Sequence, residues 1–271
     1  MFDKSAASYY LPSRIEAECS DFGVAIKHPR NVREAIDARQ RLLDYLAQQA
    51  QDPVELAAHG QIDAALAAIE GARLREVVAT NGSVRRAEDL VNGAVTTSAD
   101  DYLAQVADAV TECADRVNGL AAGFPVTRDD WRDFAVAARA GYADALGTAL
   151  AEADRLHRYA NRLVAPLLTD IRDASDRQRL TTATLFDVPV ELRFENARSA
   201  QENVDRATGL IHAGGASTVL RVAAGADTPV TLSPATTAEE VYSRLDRLHQ
   251  TVRWAQSAEA VEEFREVTRV N

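Results

Sequence analysis

Between positions 127 and 175 apolar residues recur at spacings of three and four with hardly a pause. Trp131, Phe134, Ala138, Leu146, Leu150, Ala153, Leu156, Ala160, Leu163, Leu167 and Ile171 fall on one helical face, with Tyr142 in the slot between Ala138 and Leu146. Thr127, followed by Asp129 and Asp130, supplies an N-terminal cap. A straight helix over this span would run about 70 Å at 1.5 Å per residue, more than the diameter of a compact domain. Pro166 is expected to kink it, and Gly141 or Gly147 to loosen it. Such a stripe needs apolar partners along its whole length, from this chain or from another subunit.

The flanking sequence reads as helical on one side and mixed on the other. Residues 1–30 form an N-terminal arm with a short helix near 14–19, broken by Gly23 and Pro29. Asn31-Val-Arg-Glu34 resembles a capping box opening a helix to about position 50. Asp52-Pro53 restarts a helical pattern that reaches Ala79, with Ile62, Leu66 and Ile69 on one face and weak points at Gly60 and Gly71. After the turn at Asn81-Gly82, a short helix over 84–91 ends at Asn92-Gly93. Another helix starts at Ser98, carries Leu103, Val106, Val110, Cys113 and Val117 as one stripe, and stops at Asn118-Gly119. Beyond Leu180 the segments 182–186, 190–194, 217–222 and 228–232 are rich in β-formers, with a helix at 196–211 and a hairpin joining 219–222 to 229–232. Thr237-Ala-Glu-Glu240 caps a C-terminal helix. The expected fold is therefore mainly α. It is an elongated helical bundle with one very long, kinked helix (about 128–175) and a small α+β insert. Its organisation is an arm (1–30), a bundle (31–180), an α+β subdomain (181–234) and a C-terminal helix (235–271) packing back on the bundle.

Charge narrows the partners. The formal net charge is −11, a field that repels phosphate backbones and disfavours nucleic acid. Lys4 and Lys27 are the only lysines among 30 basic residues, a bias that travels with abundant Ala, Asp and Val and fits a GC-rich genome. Cys19 and Cys113 stand far apart with no C-x-x-C, which argues against a disulfide framework or zinc site and for two reduced, buried thiols. The first residues lack a basic segment followed by an apolar run, so no signal peptide is expected, and no stretch reaches the ~18 apolar residues of a membrane span. A cytoplasmic location, or one within a particle assembled in the cytoplasm, follows.

Two constellations bear on chemistry. Asp154-Arg-Leu-His157 and Asp246-Arg-Leu-His249 repeat one tetrapeptide on two helices. A carboxylate three residues before a histidine shares its helix face, the arrangement by which helical bundles hold paired metal ions. Asp154, His157, Asp246 and His249 are thus the candidate ligands for a divalent metal. The plainer reading is salt-bridged, core-edge histidines and no cofactor. Among the aromatics, Tyr9 and Tyr10 precede Leu11-Pro12 in the arm, and Trp131 and Trp254 lie beside apolar stripes. All four are candidate interface anchors, with docking on the chain's own core as the alternative. His212-Ala-Gly-Gly-Ala-Ser217 reads as a helix end and connector, because a phosphate loop needs a following helix and a basic residue. No catalytic residues are assigned. The function expected is a non-catalytic structural or interaction protein that self-associates or docks into a larger assembly, in particular a bacteriophage virion or assembly component from a GC-rich host. The alternatives are a metal-binding bundle or enzyme built on the two Asp-Arg-Leu-His motifs, and an intracellular regulatory adaptor.

Overall fold

The computed structural model describes residues 10–48, 51–126, 130–168, 174–187, 215–225, 230–250 and 253. They are mainly helical, with one small two-stranded sheet. The chain divides into two compact units: residues 1–13 with 27–98, and residues 14–26 with 99–271. Helix α1 (Leu11–Ser20) gives its first three residues to the first unit and the rest to the second.

The first unit holds α2 (Arg30–Ala47), α3 (Pro53–Ala58), α4 (Ile62–Thr80) and α5 (Ser83–Thr97). Helix α2 packs on α5 around Val32, Val91 and Val95, each fully buried. The capping box expected at Asn31 does not form. Pro29 occupies the cap position, and the Asn31 amide instead donates across to Ser98 Oγ at 2.9 Å. Asp52 does cap α3, accepting from Val54 N at 2.9 Å ahead of Pro53. Gly60 and Gly82, with φ of 76° and 78°, separate α3 from α4 and α4 from α5, whereas Gly71 stays inside α4. Helix α5 runs on through Asn92-Gly93, where an end was expected. Val91 and Val95 bury one turn apart on either side of Gly93, and that packing outweighs the roughly 1 kcal/mol a helical glycine costs.

The second unit is built on α6 (Ala99–Ala121). Its stripe of Leu103, Val106, Val110, Cys113 and Val117 is fully buried, as the spacing requires, and it ends two residues past Asn118-Gly119. The single long helix expected over 128–175 is divided. Helix α7 (Phe134–Ala140) stops at Gly141, whose φ of 82° is left-handed, and α8 (Ala143–Arg158) begins anew after Tyr142. Asp133 caps α7 by accepting from Ala135 N at 2.7 Å, and the Tyr142 hydroxyl donates to Trp131 O at 2.7 Å, so the break is held on both sides. From α8 the chain continues as a π-helix (Tyr159–Val164) into α9 (Ala165–Leu167). Pro166 has no N–H to hold the α register, and just ahead of it Ala165 N bonds back five residues to Ala160 O. Thr127 and Ile171 lie outside the described residues.

Helix α10 (Ala174–Leu185) leads into β1 (Phe186–Asp187), followed by α11 (Gly215–Ala223), β2 (Thr231–Leu232) and α12 (238–250). Two expected strands are helices instead. Residues 182–185 end α10, and 217–222 lie within α11. The β-branched residues are accommodated because their hydroxyls turn back on the helix: Thr182 Oγ1 donates to Gln178 O at 3.0 Å and Thr184 Oγ1 to Leu180 O at 2.8 Å. The expected hairpin is therefore absent. β2 pairs antiparallel with β1, Phe186 facing Leu232 and Asp187 facing Thr231. The segments 190–194 and 196–211 lie outside the described residues. Thr237 caps α12, accepting from Glu240 N at 3.1 Å. The Glu240 carboxylate accepts from Thr236 N at 3.2 Å, one residue earlier than a regular capping box.

Gly141 gives the broken helix a test with a sign. Inside a continuous helix, Gly141→Ala would stabilise by about 1 kcal/mol. At φ of 82°, with open space around an added Cβ, only the backbone conformation responds. The substitution should then destabilise by about 1–2 kcal/mol, read as a lower urea midpoint.

Candidate interaction surface

Helix α4 presents its apolar residues the wrong way round for a core. Ala65 is buried and Ala68 and Gly71 are half-buried, so the small residues face the neighbouring helices α3 and α5. Ile62, Leu66, Ile69, Leu74 and Val77 are 51–58% exposed. Four of them, Ile62, Leu66, Ile69 and Val77, form one strip with Arg73 completing the spacing of four, three, four and four. Val54 on α3 and Leu90 on α5 are more exposed still. The stripe through Ile62, Leu66 and Ile69 is legible in the sequence. Its outward direction is not, although the file of small residues opposite it was the available signal, since small side chains let helices approach closely.

The two Asp-Arg-Leu-His motifs fall in α8 and α12. Asp154 pairs with Arg158 Nε at 3.1 Å one turn on, and Asp246 Oδ2 accepts from Gln250 at 2.6 Å. His157 lines a narrow crevice with Thr181, Leu185, Phe186 and Gly215. The Asn161 amide nitrogen lies 3.1–3.2 Å from both of its ring nitrogens and also donates to the His157 carbonyl at 3.1 Å. Thr181 Oγ1 in turn donates to Asn161 Oδ1 at 2.9 Å. His249 is half-buried. Among the described residues no group of three or more His, Cys, Asp and Glu side chains is arranged to hold a metal ion.

The candidate aromatic anchors have separate fates. Tyr10 lies beneath the Arg39 guanidinium, 4.6 Å from its ring centroid, within the first unit. Trp131 is 3% exposed and stacks on Phe124 at 5.6 Å, so its ring is spent on the core of the second unit. Tyr9 and Trp254 lie outside the described residues.

One polar cluster went unread in the sequence. The Cys113 thiol and Arg116 Nη2 both donate to Glu152 Oε2, at 2.9 and 3.1 Å, and Arg155 Nη1 reaches the same oxygen at 2.9 Å. Burial pushes the Cys113 thiol up to about 12, and Glu152 adds to the shift. Burial alone would raise the Glu152 carboxyl, but the donors and the Arg155 charge more than offset it and hold it below its usual range. Burial, with help from Glu18, also pushes Cys19 up to about 12. The arrangement suppresses thiolate chemistry and ties α6 to α8.

Comparison with protein-family models, with characterised proteins and with solved structures returns no match for this chain.

Two outcomes follow from these groups. Neither thiol should react with an aromatic disulfide reagent in the native chain near neutral pH, while both should react in denaturant. Rapid native labelling would contradict the burial of Cys19 and Cys113. His157 is held below its usual 6.5 by burial first and by Arg162, with Asp154 acting the other way. The unfolded chain therefore binds this proton before the folded one does. The neutral ring's contribution is intact above 6.5 and is lost as the pH falls from there toward the depressed folded value. His157→Asn should then lose less stability than wild type between about pH 7.5 and about pH 5.5, read from urea midpoints. Equal losses would remove His157 from the acid response.

Proposed function

We propose that this chain is a non-catalytic structural or interaction protein that self-associates or docks into a larger assembly through the first unit. The observation that carries this reading is the exposed aliphatic strip of α4. Fully burying a large aliphatic side chain contributes about 1.5–3 kcal/mol, so covering four half-exposed ones is worth several kcal/mol before ordering costs. Isolated surface leucines need no explanation, but a strip on one helix face marks a contact surface. Among the described residues, the fully buried apolar side chains of the first unit are Val32, Val91 and Val95; Ile36, Leu42, Leu43, Leu46 and Leu56 are part-buried, while Ile62, Leu66, Ile69, Leu74 and Leu90 are exposed. Such a unit gains more from a partner than one with a filled core. Among the described residues no helix is long and apolar enough to cross a membrane. The net charge of −11 favours a protein partner over a nucleic acid. A helical bundle around α6 and α8, a cytoplasmic or particle-borne location and a role as a virion or assembly component from a GC-rich host belong to the same reading.

Light scattering across a concentration series, with an apolar fluorescent dye as second probe, tests it. The expected result is a mass above one chain, or a monomer that binds the dye. In either case the Leu66→Glu, Ile69→Glu double variant should abolish the behaviour while helical circular dichroism is retained. A monomer that binds no dye would refute the proposal.

A further inference from the structure

We infer that the strip of α4 is covered by α4 of a second copy of this chain, running antiparallel, a geometry that deepens and rests on the association role proposed above. The argument starts from Arg73, the one charged residue within the strip. Arg73, Asp63 and Glu70 are all exposed, and none has a hydrogen-bond or ion-pair partner among the described residues. A lone charged residue in an apolar helical seam decides which register is tolerated. In a parallel pair Arg73 of one copy would face Arg73 of the other across a partly dehydrated seam, a like-charge contact with no relief. An antiparallel pair with its two-fold axis between Ile69 and Glu70 removes that clash. Ile62 of each copy then lies opposite Val77 of the other, and Leu66 opposite Arg73.

That register also gives the guanidinium its partners. Asp63 and Glu70 stand three residues before and four after Leu66, so they lie one turn to each side of it and on the same flank of the helix. Arg73 of one copy therefore meets Leu66 of the second copy between two carboxylates. The two-fold axis repeats the arrangement at the other end, as an isologous contact demands. The same axis brings the two Glu70 carboxylates together opposite Ile69, with an Arg73 on each side to offset their repulsion, so it is Arg73 that favours this occupant and direction.

Disulfide trapping on the full chain distinguishes the registers. Ile62 and Ile69 are 55% and 52% exposed, so exposure alone predicts equal reactivity of cysteines placed there. Cys19 and Cys113 are buried and contribute little background. Under mild oxidation Ile69→Cys, beside the axis, should give covalent dimer at least about tenfold faster than Ile62→Cys, and the Ile62→Cys, Val77→Cys double variant should also cross-link efficiently. Arg73→Glu should weaken the dimer by about tenfold at low salt, and adding Asp63→Arg and Glu70→Arg should restore it. Circular dichroism confirms that each variant is folded. Equal or faster trapping of Ile62→Cys overturns the antiparallel register. A one-chain mass at every concentration, together with dye binding, overturns the second copy as occupant while leaving the association role intact. A one-chain mass with no dye binding removes both.

Discussion

The second unit depends on how closely α8 is approached by its neighbours. Its inner line places two small residues between two large ones, with Leu146, Ala149, Ala153 and Leu156 all fully buried. The alanines let α6 and α11 pack against this helix, and α11 touches α6 as well. The leucines then fill what the alanines leave open. Polar ties follow from that proximity. Cys113 and Arg116 reach Glu152 because α6 lies against α8, and the fully buried Tyr159 donates its hydroxyl to Ala235 O at 2.7 Å, fastening the segment after β2. Burial drives the Tyr159 hydroxyl upward, so it stays a donor throughout the accessible pH range.

The first unit shows the opposite distribution. Its helices are joined by polar contacts, Asn31 to Ser98 and Arg39 to Glu88 at 2.7 Å, more than by a deep apolar interior. Partly exposed ion pairs of that kind contribute little each. Among the described residues the second unit leaves only the separate rings of Phe134 and Tyr242 exposed, while the first leaves a strip of aliphatics uncovered.

What the sequence revealed follows from where the signals are local. The α6 stripe, the Asp52 cap, the Thr237 cap and the turn at Asn81-Gly82 each rest on a few neighbouring residues, and each is present. The break at Gly60, inside what reads as one helical pattern to Ala79, was visible only as a weak point. So was the break at Gly141. Spacing of three and four continues across it, and periodicity does not register one glycine entering the left-handed region. The strands expected at 182–186, all but Phe186, and at 217–222 failed for a different reason. β-branched residues favour strands on average, yet Val219, Leu220 and Val222 gain more from packing α11 on α8 than their propensity loses. The α4 strip was legible as a stripe but not as a surface, since a spacing of three and four is the same whether the residues face a core or a partner. The Glu152 cluster joins residues 113, 116, 152 and 155 across two helices, a long-range relation that no single-segment pattern encodes.

The π-helix of Tyr159–Val164 carries one residue more per turn than its flanks need. Such a turn accommodates one extra residue in a helix that stays folded around it. Its consequence is a change of phase: residues after it are rotated by about a quarter turn relative to an unbroken α-helix. Tyr159 and Ala160, then Leu163 and Val164, are buried as adjacent pairs, and Ala165 stays inside beside Pro166. The two halves of the continuous stretch from Ala143 to Leu167 are therefore on different azimuths, free to accept neighbours from different directions while remaining one covalent rod.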